Sequence, residues 1–345
     1  MKIRSGYGRF FKWILNSAMV GLFTLMLFEL CFRLHVIDFY SHVFQDLNSE
    51  FDRSEAKPDM VLVGDSFSAF KKGYAQVLND SFPEFNMHNI SVPGTSVREQ
   101  HLFGKYHIKR LQPEVVIFQY FVGNDLLGWH HHLNWEEISV VRNAYWRISE
   151  HLWSIGYLNH RLASIKAYQT NEVLQLKKVE AEFSPEGFSV RDRRYFTAEP
   201  ELVENSAYLK NGRSDHMEDY LLRMNKLFES IPEKTKIFIL VIPHEAQVSE
   251  AYKERTESLN AVFTNDFRIG SGTYPVSQKM TEYFSTDERI EVLDPTAEMA
   301  QWEEEGQALY FSNNSHLNYK GQIMIGEYLV EKIRSFTKHS IPISR

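Results

Sequence analysis

Ser66, Gly94, Asn124 and His316 are four residues whose types and order could together perform acyl transfer. A serine hydroxyl is a weak nucleophile until a neighbouring base activates it. His316 is suited to take the Ser66 proton and later return it to the leaving group. The backbone N–H of Ser66, the N–H of Gly94 and the side-chain amide of Asn124 would face the oxyanion that develops on attack. Losing one such donor typically lowers turnover by about 10²–10³. Glycine at 94 would let the backbone approach a substrate with no Cβ in the way.

These residues need elements that bring them to one place. After Pro58 the chain alternates short apolar runs with helix-like stretches. The runs Met60–Val63, Met87–Ile90, Val115–Phe121, Ile237–Ile242 and Ile290–Leu293 are bounded by Gly, Pro or Asn and read as strands. Helices are predicted over Ala69–Asn79, Val97–Leu111, His216–Ser230, Ala246–Val262, Pro275–Phe284 and Tyr319–Phe336. This alternation predicts an α/β fold, a three-layer sandwich around a five-stranded parallel sheet of flavodoxin-like order. Ser66 follows the first strand in Gly64-Asp65-Ser66, Gly94 the second and Asn124 the third, while His316 precedes the last helix. All four then fall on the C-terminal edge of the sheet, where open α/β folds bind ligands. Asp65 and Asp125 read as braces of the loops that carry Ser66 and Asn124.

Taken in order, Ser66, Gly94, Asn124 and His316 resemble the four blocks of the SGNH (GDSL-like) hydrolase superfamily. Gly64-Asp65-Ser66-Phe67 and Gly123-Asn124-Asp125 carry the match, which covers about 60–125 and 235–335. Phe28-Glu29-Leu30-Cys31-Phe32-Arg33 also looks like the end of the anchor in membrane-bound bacterial members. The resemblance implies an esterase, lipase, thioesterase or an enzyme of carbohydrate O-acetyl transfer or removal; no motif in the sequence supports a metal or nucleotide cofactor, and none is expected. It departs from the family in its last block. There an aspartate usually stands two or three residues before the histidine, where this chain has Asn314 and Asn313. That aspartate holds the imidazole tautomer and stabilises the imidazolium; in a serine protease, changing it to asparagine lowers turnover by about 10⁴. An asparagine amide oxygen could take over the orienting bond without the charge, a backbone carbonyl could do the same, or Asp294 at the end of the fifth strand could substitute. Asp294 has a plainer role open to it as a turn residue before Pro295, and Glu303, Glu304 and Glu305 read as a solvated charge run.

The remaining features bound where and on what the protein acts. Residues 1–9 are a basic tail. Residues 10–32 form an apolar segment close to the roughly 20 residues that span hydrocarbon. Lys2, Arg4, Arg9 and Lys12 precede it, so the positive-inside rule places the N-terminus in the cytoplasm and residues 58–345 in the periplasm or outside the cell. The expectation is a single-pass signal anchor in a bacterial inner membrane, with a cleaved signal peptide as the competing reading. Glu29 and Arg33 are spaced for an i,i+4 ion pair, and residues 33–57 read as a juxtamembrane connector. A net charge of −7 over 345 residues gives nucleic-acid binding no electrostatic support. Cys31 is the sole cysteine, so no intramolecular disulfide forms.

Residues 126–215 break the strand–helix rhythm and read as an insertion over the active edge. Within it, His130, His131 and His132 lack metal-ligand spacing. Trp129, Trp135, Trp146 and Trp153 suit core packing or, as the alternative, sugar stacking. His244 after the fourth strand reads as a loop histidine. The sequence therefore predicts an extracytoplasmic serine esterase or O-acyltransferase acting on an acylated carbohydrate, most plausibly acetylated. A lipid or thioester hydrolase is the enzymatic alternative. A catalytically weak subunit that binds glycan or docks on a membrane-bound O-acyltransferase is the non-enzymatic one.

Overall fold

The computed structural model describes residues 4–129, 139–158, 161 and 182–340. His130, His131, His132 and Trp135 lie outside them. Its centre is a five-stranded sheet built from β1 (Asp59–Val63), β2 (Asn86–Asn89), β3 (Val115–Phe121), β4 (Lys236–Ile242) and β5 (Ile290–Leu293). The strand order is β2-β1-β3-β4-β5 and every pairing is parallel. The expected three-layer α/β architecture is present. Alternate residues serve opposite layers, as the period-2 geometry of a strand requires. Val61, Val63, Val116, Phe118, Ile237 and Ile239 face one core, while Met60, Leu62, Ile117, Phe238 and Leu240 face the other. β3 and β4 are buried along their whole length, which is why they read as continuous apolar runs.

α1 (Arg4–Arg33), α2 (Ser41–Leu47), α3 (Tyr74–Ser81) and α4 (Val97–Leu111) belong to the first half. α4 starts at a capping box in which the Ser96 backbone N–H donates to Glu99 Oε2 at 3.1 Å. The insertion carries α5 (Asp125–Trp129), α6 (Val140–His151), α7 (Val190–Ala198) and α8 (Leu202–Tyr208), after which α9 (Arg213–Phe228) returns to the sheet. α10 (Glu250–Ser258), α11 (Pro275–Phe284) and α12 (Thr296–Glu304) precede a two-stranded antiparallel ladder, β6 (Tyr310–Phe311) with β7 (Asn314–Leu317). α13 (Tyr319–Ser340) closes the fold.

The structure corrects several sequence expectations. The helix predicted from Ala69 begins only at Tyr74, because Lys72 turns the chain with φ +58°. The one predicted over Ala246–Val262 is a short turn followed by α10, which starts where Ser249 Oγ accepts the Tyr252 N–H. It stops before Asn260, at φ +76°. α12 and the β6–β7 ladder were not anticipated. Glu303 is no solvated charge: it accepts from Tyr252 Oη at 2.7 Å and from the Leu309 N–H at 2.6 Å.

Phe10–Arg33 within α1 has a mean hydropathy of 1.8 and only 6% of its apolar window is buried. By length and composition it suits a membrane span and a signal sequence alike. Its last turns are part of the folded domain. Phe32 joins Phe39, Tyr40, Phe44 and Phe103 in one aromatic core. Glu29 pairs with Arg33 at 2.5 Å and also accepts the backbone N–H groups of Trp153 and Ser154, each at 2.9 Å. Trp153 packs under the guanidinium of Arg33 at 4.5 Å. That contact matches core packing rather than an exposed sugar platform.

Candidate active site

The loop that carries Ser66 is built by close approach of backbone to the sheet. A Cβ on Gly64 would stand 2.3 Å from Ser68 Oγ and 2.6 Å from Gln119 Oε1, so only glycine fits between β1 and β3. Gln119 Oε1 accepts the Asp65 N–H at 2.9 Å and Ser68 Oγ–H at 3.0 Å. Asp65 Oδ1 accepts the Phe67 N–H at 3.0 Å, closing the turn around Ser66. Gln322 on α13 ties the same loop by donating to Phe67 O at 2.8 Å. Ser66 is left half-buried at the end of β1, held from three sides.

Ser66 Oγ lies 2.7 Å from His316 Nε2. The histidine stands on β7, its ring stacked on Phe67 with centroids 4.7 Å apart. His316 Nδ1 is 2.5 Å from Asn314 Oδ1. The His316 backbone N–H donates to that same Oδ1 at 3.1 Å, which identifies the atom as the amide oxygen, since an amide NH₂ could not accept. Nδ1 therefore carries the hydrogen, and the Nε2 lone pair faces the Ser66 hydroxyl. This is the tautomer a general base needs. Asn314 supplies the geometry of the missing aspartate without its charge.

The other two candidates for histidine support are elsewhere. Asn313 is buried, accepts the Ser184 N–H at 2.9 Å and donates to Glu182 O at 2.9 Å. Its job is to hold the insertion. Asp294 turns the chain before Pro295 and α12, accepting the Thr296 N–H at 3.0 Å, and also takes the Ser277 hydroxyl. Neither carboxylate oxygen of Asp294 is turned to His316; the turn role explains the residue.

Gly94 and Asn124 follow β2 and β3 on the edge that presents Ser66. Among the described residues, the Ser66 N–H, the Gly94 N–H and the Asn124 side chain have no hydrogen-bond partner. Three unpaired donors at the C-terminal edge are what an oxyanion pocket requires before substrate arrives. Glycine is needed at 94 for its φ of +73° rather than for crowding, because a Cβ there would meet nothing within 4 Å.

Beneath this edge lie two buried carboxyls. Asp65 is pushed up to about 6 by burial, opposed by the Phe67 N–H and by the charge of Arg191. Asp125, which accepts the Phe121 N–H at 2.8 Å, is pushed well above the carboxylate range by burial and then by Asp65. A raised folded-state pKa means that the fold binds a proton more tightly than the unfolded chain. Stability is then full below about pH 4 and falls as pH rises through 6, for Asp65 by about 2–3 kcal/mol. Asp125→Asn removes one member of the pair. Relative to the unsubstituted protein, its melting temperature should improve steadily from pH 4.5 to 7.5. A difference that stays flat across that range would show that burial does not raise Asp125.

Sequence reasoning set the insertion over the active edge but did not find how it docks there. α7 docks on the histidine block: the Ser189 N–H donates to Asn313 O at 3.1 Å, and Ser315 Oγ donates to Asp192 Oδ2 at 3.0 Å. The one readable signal for the internal scaffold was Gln119, a lone amide inside an otherwise apolar strand. His244 is buried and neutral, pushed down to about 4 by burial, with Nδ1 accepting the Ala246 N–H at 3.2 Å.

No family model and no curated protein matches the sequence. Among solved structures, the chain is similar to a lipase from a goat rumen metagenome, at 14% identity over 81% of this chain and 97% of that one, with a TM-score of 0.38. It is also similar to the acetyl xylan esterase AlAXEase, at 9% identity over 80% and 99% with a TM-score of 0.41. A third is a catalytic variant of an acetylxylan esterase from Geobacillus stearothermophilus, at 11% identity over 82% and 96% with a TM-score of 0.40. Identities and scores this low leave function to the chemistry of the site itself.

Proposed function

We propose that this chain is a membrane-anchored serine ester hydrolase or O-acyltransferase of the SGNH type. It acts outside the cytoplasm and passes a short acyl group through Ser66. The observation that carries this reading is the 2.7 Å contact of Ser66 Oγ with a His316 whose tautomer is fixed by Asn314. Attack by Oγ on the acyl carbonyl transfers the serine proton to Nε2. The Ser66 and Gly94 N–H groups and the Asn124 amide receive the oxyanion. Nε2 then protonates the departing alcohol, and a second hydroxyl, from water or an acceptor sugar, releases the acyl group by the reverse path. The last turns of α1 are bonded to the domain through Glu29 and Phe32, which supports retention of the segment as an anchor rather than its removal. Positive charge ahead of it supports a domain facing the periplasm.

An active-site fluorophosphonate should label Ser66 in the full chain and fail to label Ser66→Ala. Short acetyl esters should turn over faster than long-chain ones. Without Ser66-dependent labelling or turnover, the non-catalytic reading takes precedence: a glycan-binding or acyltransferase-associated subunit. Asn314 in place of a charged partner is the feature that favours it.

A further inference from the structure

One cation stands at this site that the acyl-transfer chemistry does not use. Arg191 is in the first turn of α7, between the two bonds that dock that helix on the histidine block, Ser189 to Asn313 and Asp192 to Ser315. Arg191 keeps 43% of its side-chain surface open to solvent. Its charge is felt at Asp65, the residue directly before the nucleophile.

The guanidinium is only partly committed. Nε is 3.5 Å from Asp192 Oδ1, the outer limit of a hydrogen bond, and Cζ is 6.0 Å from the Tyr195 ring centre. Among the described residues, Nη1 and Nη2 have no hydrogen-bond partner. Those two nitrogens form the planar fork that arginine uses to grip carboxylate or phosphate in bidentate fashion. Asp192 cannot turn to fill that role, because its other oxygen holds Ser315.

We propose that Arg191 forms an oxyanion-binding subsite beside Ser66, and that the acylated substrate carries a carboxylate or phosphate close to its ester. The proposal rests on the hydrolase reading and narrows its substrate to anionic glycans or anionic headgroups. The insertion thereby acquires a purpose: it delivers a cation that the sheet edge lacks.

The test compares matched acetyl esters of methyl glucoside, methyl glucuronate and glucose 6-phosphate, using the full chain in lipid nanodiscs. Calorimetric binding of the corresponding unacetylated sugars is measured in parallel. The unsubstituted protein should prefer at least one anionic ester over the neutral one by about tenfold or more in kcat/KM, chiefly through KM. Arg191→Gln should bring that ratio to near 1, and Arg191→Lys should keep part of it. The carboxylate and phosphate arms identify which anion is preferred. If the neutral ester is hydrolysed in a Ser66-dependent way while Arg191→Gln leaves the anionic-to-neutral ratio unaltered, the subsite is wrong and the hydrolase stands. If no ester is turned over, the hydrolase reading falls. The sugar-binding contrast between unsubstituted and Arg191→Gln protein then decides the subsite by itself.

Discussion

Asn314→Asp should raise the turnover of a short acetyl ester by about 10–10². The side chains are isosteric, and Oδ1 already sits 2.5 Å from His316 Nδ1 and 3.1 Å from the His316 N–H. Substitution therefore adds a charge without asking any atom to move. In the transition state His316 becomes an imidazolium, and a carboxylate on Nδ1 stabilises it in a way a neutral amide does not. The reverse change in a serine protease lowers turnover by about 10⁴, largely through a wrong tautomer that Asn314 already avoids, so only the part owed to charge is gained here. Asn314 is half-buried, so part of the gain is spent on desolvating the new carboxylate, which sets the lower end of the range. The measurement is kcat on a p-nitrophenyl acetate-type substrate, with labelling of Ser66 to count active sites. An unchanged kcat would mean that His316 does not act as the base, or that another group already balances its charge.

The sequence carried the sheet and the four edge residues because strand patterning is local. Val115–Phe121 and Ile290–Leu293 are found where predicted, since each is a short apolar run with a clear boundary. The assignment of histidine support was open because it depends on tertiary placement. Asn313, Asn314 and Asp294 are equally plausible by position, yet alternation along β7 turns Asn314 and His316 to the same side, while Asn313 lies outside that strand. Helix starts failed where a single backbone angle decided them, as at Lys72. α7 and Arg191 were illegible for a different reason. Their meaning comes from docking on residues 313–315, more than a hundred positions away, and no periodicity encodes that contact.

Ser66→Ala should then cost little in the unsubstituted protein and much in the Asn314→Asp background. In subtilisin, removing the triad aspartate lowers kcat by about 3 × 10⁴, while removing the serine or the histidine lowers it by about 2 × 10⁶, as much as removing all three. A site with an orienting amide but no charge on Nδ1 has therefore lost part of what serine attack contributes. The loss on Ser66→Ala is expected to be only about 10², since binding and the three oxyanion donors keep working on a water attack. Adding the charge raises the worth of the nucleophile, and the same substitution should then cost about 10³–10⁴. The ratio of the two losses is a coupling between positions 66 and 314, which do not touch and communicate only through His316. At 1.36 kcal/mol per decade it amounts to about 1–3 kcal/mol. Additive losses would show that Ser66 and His316 meet at 2.7 Å without working as one unit, whatever esters the protein hydrolyses.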